Sequence, residues 1–394
     1  MSFSETRAGI SAVVDIFDQH DLFDFLDNDD VLRLSRLGGG PGFSGGSSIR
    51  KATGISRRRL LKSDLSAADL GERLCTELTR ATGLEMSEFD AVLLCHSFTD
   101  VSAADQLAGQ LAGRQIAARD RIFAFNHGCA GFLKLLHTGT ALLRKAGRHG
   151  RVVLLMIETP EFWHDAADRL FCGIVSAGAT AVVLERDRGL PLRTVVSGDH
   201  AVPEERRMND RPLFHTDLTE VFDFRSRPVR RTVMRMNSEP VFLNGIELML
   251  SSLRRALATI DYSPGERIIV APHQPSGKLL KALIAAAATE FPGVEFLNNL
   301  EFYGNTISST VPTLLSRLDE ILLSNRLAEL VPGDHIILLA AGICMERIAD
   351  HMSAGFACLS WQPEMTVSGG NLRCRSMGRR VEELSDVAEN LPIA

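Results

Sequence analysis

The sequence of 394 residues has no Cys-x-x-Cys pair, and its seven cysteines are an odd number. That argues against a disulfide framework and a cysteine-rich zinc site, and for a reducing compartment. No apolar run approaches the ~18 residues that span a bilayer. The start, Met1-Ser-Phe-Ser-Glu-Thr-Arg7, has no basic-then-apolar leader, so the expectation is a cytoplasmic chain without a membrane partner. Neither sign of charge dominates: 43 basic against 49 acidic side chains leave −6, which gives no indication of bulk nucleic-acid binding.

What is present is core material organised around Ala124–Phe132, since 45% of the residues are hydrophobic. The apolar run Arg121–Phe125 predicts a buried strand, and Phe132–Leu143, apolar at 132, 135, 136, 142 and 143, predicts a helix. Cys129 falls where strand becomes helix, between Gly128 and Gly131. A cysteine at a helix N-terminus meets unpaired N–H groups and the positive dipole end, which favours its thiolate as a nucleophile. By itself, one cysteine is more often a small buried hydrophobe.

An internal repeat changes that balance. His96 ends a predicted strand 33 residues before Cys129, and His273 ends one 32 residues before Asn305, so the halves superimpose at an offset of 176–177. Apolar strands at 91–96, 150–157 and 179–185, and again at 267–271 and 334–339, alternate with helices, which indicates a parallel-rich sheet covered on both faces. In a duplicated sheet packed about a pseudo-two-fold axis, equivalent strand ends converge, and Cys129, His273 and Asn305 meet where α/β sites form. The expected division is an N-terminal half over 1–190 and a C-terminal half over 237–361. Between them, 191–236, rich in Arg and Asp, reads as a surface cap, and 362–394 reads as a tail.

At these residues the sequence resembles the β-ketoacyl-acyl-carrier-protein synthase III group of the thiolase superfamily. The resemblance rests on Gly128-Cys-Ala-Gly-Phe132, Pro272-His273-Gln274, Tyr303-Gly-Asn305-Thr with Val311-Pro312, and Ala52-Thr-Gly-Ile-Ser-Arg57-Arg58, with partial matches at Ser176-Ala-Gly178-Ala and Ala341-Gly342-Ile343-Cys344. It covers roughly residues 45–361. It implies a duplicated, five-layered αβαβα α/β fold, a homodimer, an acyl intermediate on Cys129, and an oxyanion held by the backbone N–H groups of Cys129 and Ile343. His273 and Asn305 would stabilise the enolate formed as a malonyl-type thioester loses carbon dioxide. No bound cofactor or metal is implied, since the substrates travel as CoA or phosphopantetheine thioesters.

Departures from the family pattern carry information. Ser48 and Ala52 stand where relatives that use CoA have an aromatic residue and an arginine, and Pro275-Ser-Gly-Lys278 replaces Ala-Asn-x-x-Arg. Arg50, Lys51, Arg57, Arg58 and Arg59 crowd the same region and suit an acidic acyl carrier protein; Arg57, Arg58 and Lys278 are the candidate carrier-binding residues, with a solvated turn as the alternative for each. His127 reads as a packing or hydrogen-bonding residue, Glu158, Asp165 and Asp168 as solvated surface, and Cys95, Cys172, Cys344 and Cys358 as core thiols. The long excursion and tail suggest specialised fatty-acid or polyketide-type metabolism. Decarboxylative Claisen condensation is the favoured activity. The alternative is transfer of the acyl group from Cys129 to an alcohol, amine or carrier, with His273 as general base; a catalytically idle subunit would have no need of the nucleophile.

Overall fold

In a computed structural model the chain is described over residues 8–39, 42–147, 149–208, 211–346 and 350–362. The N-terminal half carries β1 (Ala8–Asp15), β2 (Phe23–Leu26), α1 (Asn28–Leu34), α2 (Gly46–Thr53), β3 (Arg58–Leu61), α3 (Ala67–Thr82), β4 (Ala91–Cys95), α4 (Ala103–Gly113), β5 (Ile122–Phe125), α5 (Gly131–Lys145), β6 (Arg151–Glu158) and β7 (Gly178–Arg186). There follow β8 (Leu190–Ala201), β9 (Phe214–Phe222), β10 (Pro228–Met236), α6 (Ser238–Leu257), β11 (Ile268–Pro272), α7 (Gly277–Glu290), β12 (Glu295–Phe296), α8 (Leu300–Tyr303), α9 (Thr310–Ser316), α10 (Leu318–Ser324), β13 (His335–Ile343) and β14 (His351–Ser360).

The duplication is explicit in the sheet. Its order, β12-β11-β13-β14-β8-β1-β7-β6-β4-β5, is one five-strand pattern written twice, head to head. In each half two parallel pairs (β4 with β5 and β6; β11 with β12 and β13) are followed by two antiparallel ones. Among the described residues, the two five-strand sheets pair through Gly9 opposite Pro191 and Ile10 opposite Leu190.

Three apolar clusters give the layering. Helices α5 and α9 lie between the sheets, where Phe132, Leu135 and Leu136 share a core with Leu93 and Leu154 of one sheet and Val311, Leu314, Ile336 and Leu338 of the other half. Helices α3 and α4 cover the outer face of the first sheet, and α6 and α7 that of the second. This is the αβαβα order expected. Strands buried on both faces explain why the sequence reads as continuous apolar runs, such as Val152–Ile157, with no alternation.

The 191–236 stretch departs from expectation. Its first part is no cap: Leu190–Ala201 is the edge strand of the second sheet, paired with β14 from His351↔Ala201 to Leu359↔Leu192. Only its first three residues are fully buried, and Arg193 and Thr194 interrupt the apolar run, which hid the strand. The excursion proper is the β9–β10 hairpin, held to the 160–172 loop by Met234 N–H donating to Trp163 O (3.2 Å) and Ala166 N–H donating to Phe222 O (2.9 Å). The tail expected over 362–394 lies outside the described residues from 363 onward.

Candidate active site

Cys129 sits in a single 3-10 turn, Gly128–Ala130, one turn ahead of α5. Two glycines make the position possible. Gly128 has φ +65°, and a Cβ there would come within 2.9 Å of Ile343 O. A Cβ on Gly342 would lie 2.6 Å from Cys129 Cβ and 3.2 Å from its Sγ, so the end of β13 passes directly over the sulfur only because it has no side chain there.

Cys129, His273 and Asn305 line one cavity of about 170 Å³, as do Gly128, Gly342 and Ile343. The strand ends thus converge as the repeat predicted. Beyond this polar end the walls are apolar: Trp163, Phe171, Phe242 and the methionines 234, 236, 249, 345 and 352. The two methionines of β10 make the hairpin a wall of this chamber. No single stretch of sequence announces that wall, because its residues are drawn from five separate segments. Thioethers on flexible stems can reshape around different apolar chains.

His273 follows β11, its backbone N–H donating to Leu339 O at 2.6 Å. Its ring is buried and neither ring nitrogen has a hydrogen-bond partner. Burial alone drives its pKa down to about 3, so the imidazole is neutral. Gln274 braces the turn, with Nε2 donating to Pro272 O (3.1 Å) and Leu297 O (3.0 Å). Asn305 is joined to Val175 by a parallel bridge. Its Oδ1 accepts from Ile307 N–H at 2.9 Å and Thr310 Oγ1 at 3.5 Å, which orients the amide; Nδ2 has only a 3.4 Å bond to Pro275 O. One N–H of that amide is therefore spare for a ligand. Ile307 adopts φ +53°, a strained conformation for a β-branched residue, next to the amide it orients.

The electrostatics correct the expected thiolate. Burial pushes the Cys129 thiol up to about 12 and the nearby Glu158 carboxyl adds to the rise, against a smaller lowering by its own backbone N–H. In this apolar chamber desolvation outweighs the helix end. Glu158, expected on the surface, is fully buried at the end of β6. It accepts from Ser97 N–H (3.0 Å), Ser97 Oγ (2.9 Å) and Ser308 Oγ, and burial raises its pKa to about 7 despite these bonds. Asp165 and Asp168 are likewise not free surface: both pair with Arg235 of β10, at 3.0 and 3.3 Å, and fasten the hairpin. His127 is buried, in keeping with the packing half of its expected role, and among the described residues neither ring nitrogen makes a hydrogen bond.

The basic stretch also differs from expectation. Arg58 is fully buried and donates to Gly173 O, Asn28 Oδ1 (2.6 Å) and Thr53 Oγ1 (3.3 Å). Arg59 is buried too, stacked on Phe17, Phe25 and Tyr303. Both lie on β3, whose four positions are all buried, so neither faces a carrier. Arg57 is exposed over the Phe25 ring, and Lys278 is exposed in the first turn of α7. Cys95, Cys172, Cys344 and Cys358 are buried thiols, as read. No helix among the described residues is long and apolar enough to cross a membrane.

The profile of the family described as 3-oxoacyl-acyl-carrier-protein synthase III matches residues 123–198. The β-ketoacyl-acyl-carrier-protein synthase III of Paracoccus denitrificans is 29% identical over 306 residues, covering 75% of this chain and 86% of its own. Among solved structures, the 3-oxoacyl-acyl-carrier-protein synthase III of Pseudomonas aeruginosa superposes with a TM-score of 0.65 at 22% identity, over 90% of this chain and 98% of its own. A priming β-ketosynthase of a polyketide pathway gives 0.67 at 19%, over 90% and 96%.

Proposed function

We propose that this chain is a ketosynthase III-like condensing enzyme of the thiolase superfamily, which carries an acyl group on Cys129 and condenses it with a malonyl-type thioester. The observation that supports this most is the cavity itself: one nucleophile and two unspent hydrogen-bond donors at the end of an otherwise apolar chamber.

In the first half-reaction the Cys129 sulfur attacks the thioester carbonyl. With the thiol pushed up to about 12 and neutral His273 a weak base, the proton leaves the sulfur as the S–C bond forms and returns to the departing donor thiol. The oxyanion meets backbone N–H groups at Cys129 and the Gly342–Ile343 strand end. The acyl chain extends among the methionines and the hairpin, and their volume limits its length. In the second half-reaction the malonyl carboxylate leaves as carbon dioxide. Its bonding pair becomes an enolate whose oxygen accepts from a ring N–H of His273 and from Asn305 Nδ2, and the carbanion then attacks the acyl carbonyl and expels the Cys129 thiolate.

This division of labour favours condensation over acyl transfer, since a transferase needs a base near Cys129 but has no use for an oriented Asn305 donor. The partner is an acyl carrier protein or CoA. For the carrier, Arg57 and Lys278 are the exposed candidates that remain once Arg58 is assigned to the core. The test is intact-protein mass spectrometry of wild type and Cys129→Ala with labelled acyl-CoA and acyl-carrier donors, followed by a malonyl thioester. We expect a Cys129-dependent adduct discharged with release of carbon dioxide. An adduct that ignores malonyl donors and leaves only to an alcohol or amine would make the chain a transferase.

A further inference from the structure

Behind the nucleophile lies a second constellation that the condensation chemistry does not use. His127 Nε2 is 3.4 Å from Asp199 Oδ1, and His127 Nδ1 is 3.5 Å from Glu346 Oε2. Neither approach has hydrogen-bonding geometry, so among the described residues a wholly buried imidazole makes no hydrogen bond on either nitrogen. Such an omission costs about 1–3 kcal/mol and calls for a ligand. Cys344 completes the group: a ring nitrogen of His127, a carboxylate oxygen of Asp199 and the Cys344 sulfur all lie within 4.8 Å of one another. Asp199 is itself steadied by Ser353 Oγ, which donates to it at 2.8 Å from the facing strand β14.

We propose that His127, Asp199 and Cys344 bind a zinc ion, with the Glu346 carboxylate or a water as fourth ligand. Mixed nitrogen, oxygen and sulfur donors are the set that tetrahedral zinc takes, at about 2.0–2.3 Å each. Donors around such an ion stand roughly 3.3–3.8 Å apart, so a closure of about 1 Å completes the site. Charge supports it: a deprotonated Cys344 and an ionised Asp199 neutralise the dication, and the Glu346 carboxylate offsets Lys134, whose charge acts on Asp199. Binding sends the Cys344 proton to solvent. Glu346 is the exposed member, which gives the ion its way in.

Position gives the site its role. His127 belongs to the N-terminal half and precedes Gly128-Cys129; Asp199 and Cys344 belong to the C-terminal half, and Cys344 follows Gly342-Ile343. The ion therefore ties together the two backbone segments that pass on either side of the nucleophile, one of them pressed against Gly342. It makes and breaks no substrate bond; it holds the spacing between the sulfur and the strand end above it.

Cobalt(II) added to chelator-treated full-length protein reads the ligands directly. One equivalent should give a thiolate-to-cobalt charge-transfer band that survives in Cys129→Ser, is lost in Cys344→Ala, and is weakened or shifted in Asp199→Asn. One equivalent of zinc should bleach it, stay with the protein through gel filtration and raise its melting temperature. Circular dichroism checks the fold of the variants; if Cys344→Ala does not fold, Asp199→Asn and Cys129→Ser decide. The absence of a band, its loss in Cys129→Ser, its survival unchanged in Cys344→Ala or Asp199→Asn, or zinc lost on the column would each overturn the proposal.

Discussion

The two halves share a topology and differ in what they do at matching places. His96 and His273 each end the second strand in their sheet's order, yet His96 Nδ1 is bonded to Ile157 O at 2.7 Å while the His273 ring has no hydrogen-bond partner among the described residues. The ladders pair Ala91 with Val152 and Ile268 with His335, so Glu158 and Ala341 also correspond, six residues further on. One is a buried acid held by two serines; the other is a methyl group in the cavity wall. Cys129 and Asn305 complete the set. Duplication supplied two equal frames, and function resides in which frame kept its polar groups unspent. A partnered histidine is structure, whereas an unpartnered one facing a cavity is chemistry.

Exchanging the histidines tests this most severely. His273→Ala should cost about 10²–10³ in decarboxylation, the usual loss for one donor to an oxyanion, with the fold intact. His96→Ala should leave turnover within about tenfold and lower stability by roughly 1–3 kcal/mol, since Ile157 O is left without its bond. If the two variants lose activity equally in a malonyl-decarboxylation assay, the halves do not differ as described. Asn305→Ala should reproduce the loss in decarboxylation while leaving acylation of Cys129 within about threefold of wild type by mass spectrometry. Next in size is Gly342→Ala. Its methyl group meets Cys129 at 2.6 Å, and displacement of the sulfur by that contact should slow acylation about 10²-fold. An unchanged acylation rate would mean that the strand end gives way freely.

These differences bear on what a sequence can reveal. The duplication, a parallel-rich sheet covered on both faces and the meeting of Cys129, His273 and Asn305 were legible because each rests on local pattern: apolar runs, glycines beside the nucleophile, and near-equal spacing from histidine to catalytic partner; the five-layer order came from the family resemblance. Burial of charge was not legible. Arg58 and Arg59 look like Arg57, but they lie on a short strand, β3, that is buried on both faces, and the phenyl and carbonyl groups that receive them lie far away at Phe17, Gly173 and Phe302. Glu158 read as surface because Ser97 and Ser308, its partners, stand 61 and 150 residues away. Strand β8 was missed for a related reason, as its pairing with β14 is set by the frame and its own residues are half polar. The His127, Asp199 and Cys344 cluster has no motif because its donors come from three distant segments.

Glu158 offers the smallest and most graded test, since its counterpart Ala341 shows what the frame does without it. Burial raises its pKa from the ordinary 4.5 to about 7, so the folded state prefers the protonated acid more than the unfolded chain does. A carboxyl shifted upward stabilises the fold below pH ~4.5, and that contribution is lost as pH rises toward 7. The difference between the two limits is about 3 kcal/mol at roughly 1.4 kcal/mol per unit. Glu161, also raised to about 7 by burial, adds a similar slope of its own. In Glu158→Gln the amide stands in for the protonated acid, and the Ser97 and Ser308 hydroxyls can turn to accept from it. The variant should match wild type near pH 4.5, exceed it in denaturant stability by about 3 kcal/mol at pH 8, and retain only the Glu161 slope. The same substitution removes the charge that helps hold the Cys129 thiol up, so acylation above pH 7 should quicken a few-fold. If stability and acylation in Glu158→Gln track wild type across pH 5–8, Glu158 is neutral throughout, and the two frames differ at this position in shape alone.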